Sequence, residues 1–368
     1  MIPAIGPSPD HQTALMRGDA TSHVRLPLAV NGRAAMGILD IGCSTSVVSR
    51  SFAEHHGLVR QASFRSIGVC GEIGGEIVED LVLELMGRCF SLRAAVVDLS
   101  CVASAARASV DIVIGQDILR QTIVDLDFLS GKIRFLDAEE LKALEENLGQ
   151  AQQLVASPDR FLAVPLSLER RPAIQGVIDL GSNVPLYVSP TYAADIDLLA
   201  EKTVATSASA GAEGVELSWL ATVSSMELAG AVLNHVPVQV PGRWMPTCEA
   251  ILGLPVLRRF RIVLDVARLR IWLKSCPSTL AAPFPKDRSG LGVVPAGDCL
   301  RVIHVSAGSP AAQAGLSPAD EIIRINGHAI DKAYLQAGVR EGRKPPGTVL
   351  HLLLANGQEK KIILNDYY

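Results

Sequence analysis

No sign of charge dominates these 368 residues: 34 Lys and Arg stand against 38 Asp and Glu, interspersed, for a net charge of −4. Without a basic stripe the chain lacks the electrostatic footprint of a nucleic-acid binder. No apolar run approaches the ~20 residues needed to span a bilayer. The segment Met1 to Ala20, with Pro3, Pro7, Asp10, His11 and Arg17, holds no apolar stretch of signal-peptide length. The expectation is a chain without a membrane span, cytoplasmic as given, or periplasmic or exported if an N-terminal leader has been removed. The seven cysteines are odd in number and contain no Cys-x-x-Cys. They imply neither a disulfide framework nor a zinc site, and most sit among apolar neighbours, as buried thiols do. No metal or organic cofactor is implied.

What the chain does have is apolar content, 48%, and many windows that alternate in period two. Two or three mainly β domains are expected. The chain also repeats itself. Ile38-Leu39-Asp40-Ile41-Gly42-Cys43-Ser44 returns as Val177-Ile178-Asp179-Leu180-Gly181-Ser182-Asn183. Asp40 precedes Gly115 by 75 positions and Asp179 precedes Gly253 by 74. Each glycine follows two aliphatic residues and is followed, 12 positions on, by Asp127 or Asp265. So many offsets in one register describe a duplicated lobe.

The repeat sets the boundaries: an N-terminal extension over 1–21, a first lobe over 22–137, a second over 158–275. Residues 138–157, rich in Glu, Lys, Leu and Gln with Leu141, Leu144, Leu148 and Ala151 at helical spacing, predict a connecting helix. A Pro-rich linker over 276–285 leads to a separate module over 286–368.

Asp-x-Gly at a strand end has a chemical logic when it occurs twice. Gly42 and Gly181 let the backbone turn tightly and approach its twin. Cys43 and Ser182, the small residues directly after those glycines, can place a donor near the outer carboxylate oxygen. Two such loops back to back put Asp40 and Asp179 at hydrogen-bonding distance, where they share one proton. The pair can hold a water, deprotonate it with one carboxylate and protonate a carbonyl with the other. Cys43 as a nucleophile is a weaker reading, since no histidine recurs beside it.

With these motifs the chain resembles the aspartic proteases over roughly residues 22–275. Val30-Asn31-Gly32-Arg33 and Ser44-Thr45-Ser46-Val47-Val48-Ser49 resemble the bacterial retropepsin-like branch, while two lobes on one chain resemble the fused pepsin-like arrangement. The resemblance implies two pseudo-two-fold related, double-ψ β-barrel-like lobes. It makes Asp40 and Asp179 the catalytic pair, and Gly115 and Gly253 part of the bracing strands. The family usually has Thr or Ser after the catalytic Asp, cross-linking the loops through hydroxyls; here Ile41 and Leu180 stand there.

Between Asp40 and Gly115, the Gly-rich run Ile67 to Val78 matches the family's flap, with Gly71, Glu72, Ile73 and Gly74 facing an extended peptide substrate. Ser207 to Gly214 is either a second flap or only a loop. The C-terminal module resembles a PDZ domain of the bacterial protease type. It carries Gly290-Leu291-Gly292-Val293, then Gly308 to Leu316, then Asp320 to Gly327. The resemblance implies a peptide groove in which Gly290, Leu291, Gly292 and Val293 receive a C-terminal carboxylate. The expected activity is aspartic endopeptidase action on an extended peptide or protein, with the PDZ module recruiting substrate or regulating access. The second reading is a peptide-binding scaffold that keeps the cleft without turnover.

Overall fold

The computed structural model describes residues 13–15, 23–106, 108–211, 214–337 and 339–368. It is mainly β, as the period-two patterning requires. The N-terminal extension falls largely outside the described residues; within it, strand Thr13–Leu15 pairs with Lys132–Arg134.

The first lobe is one seven-stranded sheet closed on itself. Asn31 (φ 48°) and Gly32 (φ 71°) both take left-handed backbone, which makes the tight turn of the first hairpin. Strand Arg25–Val30 pairs with Arg33–Leu39 on one side and with Glu72–Leu85 on the other, and this closes the barrel. The second lobe repeats the plan. Strand Leu162–Leu168 pairs with both Ile174–Asp179 and Gly214–Leu228.

The duplication extends to side chains. Ser49 and Ser189 each cap a short helix, accepting from Phe52 N (3.2 Å) and Tyr192 N (3.1 Å). Asp111 and Glu249 each accept from the strand that leads to the aspartate, at Met36 N (2.8 Å) and Gln175 N (3.3 Å).

A six-stranded antiparallel sheet joins the lobes. Its central strands are Ile123–Asp127 and Phe260–Asp265, with Asp125 opposite Val263. These two residues occupy the same place in the two copies, 138 positions apart, as are Gly115 and Gly253. The pseudo-two-fold axis therefore passes through this pair. Beneath it lies an apolar core contributed by both lobes, including Leu39, Ile41, Ile114, Ile178, Leu180 and Leu252.

The connecting helix is shorter than the spacing predicts. It spans Ala138–Leu148, opens on a capping box between Asp137 and Glu140, and stops at Gly149 (φ 82°). The chain then extends into strands Gln152–Gln153 and Val155–Ala156, because their partners in the inter-lobe and second-lobe sheets offer ladder bonds that a helix cannot use. The linker is also more ordered than its prolines suggest. It forms helix Pro277–Ala281, and the Arg259 guanidinium binds the carbonyls of Ala282 (2.7 Å) and Pro283 (3.1 Å).

The C-terminal module is a sheet of strands Leu291–Pro295, Leu300–Val305, Glu321–Ile325, Val349–Leu354 and Glu359–Ile363, with its own apolar cluster. Helix Lys332–Gln336 carries Tyr334 and Leu335 onto that cluster. All seven cysteines are free; only Cys248 and Cys299 are buried, fewer than their apolar neighbours suggest. No described helix is long and apolar enough to cross a membrane.

Candidate active site

The strands before the two aspartates run parallel to the strands that end in the bracing glycines, with Leu39 opposite Ile114 and Asp179 opposite Gly253. A side chain at either glycine would strike the neighbouring Asp-x-Gly loop. At Gly115 it would lie 2.8 Å from Cys43 O, and at Gly253 it would collide with Val184 O. The two loops so braced meet on the axis, where a single N–H, that of Gly181, reaches a carboxylate oxygen of both Asp40 and Asp179.

Gly42 N–H donates to Asp40 Oδ1 (2.8 Å), and Gly181 N–H donates to Asp179 Oδ1 (2.8 Å) and Asp40 Oδ1 (3.2 Å). Neither glycine has a positive φ. They are required here for close approach: a methyl on Gly42 would sit 3.1 Å from Asp179 Cγ, and one on Gly181 2.7 Å from Asp40 Cγ. Burial raises both carboxyls above the ordinary carboxylate range. Asp179 is raised well above it, because it also faces the charge of Asp40.

The residues after the glycines do not reach the carboxylates with their side chains. Cys43 Sγ donates to Thr45 O (3.0 Å), and Ser182 Oγ donates to Val184 O (3.5 Å), so the tight turn consumes both donors locally. Burial, reinforced by Asp40, pushes the Cys43 thiol far up, which removes it as a nucleophile.

Two further residues hold the loops, and sequence reasoning did not single them out. Gln116 is 1% exposed and its Nε2 donates to Ile41 O (3.0 Å) and to Arg160 O (3.0 Å). His23 is buried, and its Nε2 lies 2.7 Å from Gly181 O. The available signal was a mismatch between the copies: Leu254 matches Gln116 and Phe161 matches His23, at an offset of 138.

The flap candidate is a hairpin of Arg60–Ile67 and Glu72–Leu85, closed by Gly68 N to Gly71 O (2.8 Å). Gly71 lies in the turn; Glu72, Ile73 and Gly74 start the returning strand. Glu72 is exposed beside Arg65 (3.6 Å). Ile73 turns inward to an apolar cluster with Ile38, Val97 and Val113. Gly75 is packed against the Phe64 ring, so this part of the hairpin is fixed. The residue that reaches across the cleft is Val69. Its carbonyl accepts from Met245 N (3.0 Å), and its side chain joins Phe161, Tyr187 and Trp244 on the second lobe.

The matching hairpin of the second lobe, Ala205–Gly211 with Gly214–Leu228, leans on the C-terminal module. Thr206 N donates to Ser306 Oγ (3.1 Å), and Thr206 Oγ1 lies 2.9 Å from His304 Nε2. In the Gly290–Val293 loop, Gly290 N–H donates to Asp287 Oδ1 (2.8 Å) and Leu291 N–H to Ser289 Oγ (3.2 Å). Those two donors are engaged within the loop. Gly292 packs against Ala208 of the second hairpin, and Val293 against the module's apolar cluster. One cleft of about 1340 Å³ is lined by Asp40, Asp179, His23, Ile73, Thr206 and Gly292 among others.

A PDZ domain family model matches residues 280–355. The C-terminal module is thus a PDZ domain, a class of peptide-binding and protein-interaction module. The match begins at the end of the docked linker helix and stops before the last strand. No curated protein matches the chain. Among the described residues, no group of three or more His, Cys, Asp and Glu is placed to hold a metal ion.

Proposed function

We infer that the first two lobes form an aspartic endopeptidase and that the PDZ domain recruits its substrate or regulates access to it. The observation that carries this reading is the carboxyl pair itself. Two aspartates from duplicated loops meet on a two-fold axis, are bridged by the Gly181 N–H, take N–H donors from both loops, and line a cleft roofed by a hairpin.

The asymmetry of the donors supports a division of roles. Asp40 receives N–H groups from both Gly42 and Gly181 and is the better anion; Asp179 keeps the proton. A water between them loses a proton to Asp40 as its oxygen attacks the peptide carbonyl carbon. Asp179 gives its proton to the carbonyl oxygen, producing a tetrahedral gem-diol. Collapse returns a proton to Asp179 and passes one from Asp40 to the departing amine nitrogen. No acyl-enzyme forms.

A second reading, peptide binding without turnover, is favoured by one observation. Val69 already covers apolar surface of the second lobe inside the cleft. A single experiment separates them: a mixed peptide library at several pH values, beside Asp40→Asn and Asp179→Asn. Cleavage that disappears in both variants supports the peptidase; peptide binding without cleavage at any pH favours the second reading.

A further inference from the structure

The two Asp-x-Gly loops carry Ile41 and Leu180 where the proteases they resemble carry hydroxyls that bond across the lobes. Both side chains are buried in the shared core and donate nothing. Each loop is nevertheless tied to the opposite lobe, and the tie runs through the main chain. Gln116 uses its two amide hydrogens to join Ile41 O in the first lobe to Arg160 O in the second. His23, from the first lobe, donates to Gly181 O in the second.

We propose that Gln116 and His23 are the positioning residues of the carboxyl pair, a cross-lobe clamp that replaces the missing hydroxyls. The inference rests on the peptidase reading for its kinetic consequences, and on the fold alone for its structural ones.

Peptide planarity explains how a clamp on a carbonyl can aim a donor on the other side of the bond. Ile41 C=O and Gly42 N–H belong to one peptide unit. By holding the oxygen, Gln116 fixes the plane whose N–H donates to Asp40 at 2.8 Å. Gly181 C=O and Ser182 N–H belong to another. By holding that oxygen, His23 fixes the plane on the far side of the residue whose own N–H reaches both aspartates. Each clamp thus fixes a peptide plane at the glycine of one active loop.

Both clamps are themselves oriented. Arg120 Nη2 donates to Gln116 Oε1 (3.2 Å), which turns the amide nitrogen toward the loops. Asn183 Nδ2 lies 3.3 Å from both nitrogens of the neutral His23 ring. Burial lowers the pKa of His23 and keeps it in that form.

The duplication supplies the argument that these side chains are not demanded by the fold. The twin of Gln116 is Leu254, buried at the start of its own helix, and the twin of His23 is Phe161. Each lobe therefore accommodates the apolar residue at that place, and only one copy of each pair is polar.

The test uses the twin's residue in the full chain: Gln116→Leu and His23→Phe, with His23→Gln as the conservative variant that can still donate. Two measurements are made: kcat and KM across pH on a peptide the wild type cleaves, and amide hydrogen exchange in residues 40–43 and 179–183. Both apolar variants should melt cooperatively and lose roughly ten- to a hundredfold in kcat, as small misplacements of reacting groups do. KM should change far less, and the limbs of the pH profile should move. Exchange should accelerate about tenfold in the two loops and not in the strands behind them. His23→Gln should recover much of both losses. Unchanged kcat, pH profile and loop exchange would overturn the clamp. If the wild type cleaves nothing, the peptidase reading falls and exchange alone decides: acceleration confined to the loops sustains the clamp, and its absence ends it.

Discussion

Gly181 N–H points at both aspartates, 2.8 Å from Asp179 Oδ1 and 3.2 Å from Asp40 Oδ1, whereas Gly42 N–H serves Asp40 alone. The pair is therefore asymmetric although the loops are copies. The two glycines should differ in their tolerance of a methyl group. On Gly181 it would lie 2.7 Å from Asp40 Cγ, inside any real contact; on Gly42 the nearest approach is 3.1 Å. Gly181→Ala should abolish cleavage, by about a thousandfold or more, through displaced carboxyls. Gly42→Ala should retain a measurable fraction, within about a hundredfold of wild type. Steady-state kinetics on both variants check the order, and equal losses would contradict the asymmetry.

The shared proton predicts a specific pH dependence. Cleavage needs one proton on the pair, so it falls on the acid side as Asp40 protonates and on the alkaline side as Asp179 loses its proton. Because Asp179 is raised well above the usual value, the alkaline limb should lie above the ordinary carboxylate range. Stability follows the same linkage. A folded-state pKa above the unfolded one means the native chain holds the proton more tightly. That contribution is full below the unfolded carboxylate value and is lost as pH climbs through the folded value. Asp179→Asn, which keeps a donor and does not titrate, should flatten the fall of Tm across that window. An unchanged slope would place the proton elsewhere.

Val69 is the latch of the first hairpin, by its carbonyl on Met245 and its side chain beside Trp244. Val69→Ser should give up about 1 kcal/mol of apolar burial, which favours the open hairpin roughly fivefold. Trp244 emission should shift to the red as the indole gains water, and kcat/KM should fall several-fold as the cleft admits solvent. Emission that does not move would show that the hairpin tip stays put without its side chain.

The parts of this molecule legible in sequence are those written twice. The offset of 139 between Asp40 and Asp179, matched to within one position by Gly115 and Gly253 (138), by Ser49 and Ser189 (140) and by Asp127 and Asp265 (138), carries the lobe plan and the meeting of the carboxyls. What escapes sequence reasoning is written once. Gln116 and His23 act on carbonyls 75 and 158 residues away, and only the fold brings those oxygens near. Asp287 engages the Gly290 N–H through a local turn that looks like any other polar loop in the sequence. The helix expected through residue 157 ends at Gly149 because distant strands compete for the chain beyond it.

Asp125 lies at the axis itself, 1% exposed, and accepts from Arg134 Nε (3.0 Å) and from Arg261 Nε (2.9 Å) and Nη2 (2.8 Å). Arg134 belongs to the first lobe and Arg261 to the second, so one buried carboxylate joins the two halves of the inter-lobe sheet. Removing it leaves two guanidinium groups, each roughly a third exposed, without the carboxylate they share. Asp125→Ala should therefore destabilise by about 3 kcal/mol, the lower end for a broken buried pair, because both arginines can still reach water. Asp125→Asn should cost less, since its amide oxygen can still accept from one arginine. The lobes also share a core, so the two effects can be told apart in denaturant. Loss of the bridge alone lowers the midpoint at constant slope, whereas uncoupled lobes split or broaden the transition. A loss below about 1 kcal/mol would show that the shared apolar core, and not the bridge, holds the halves together.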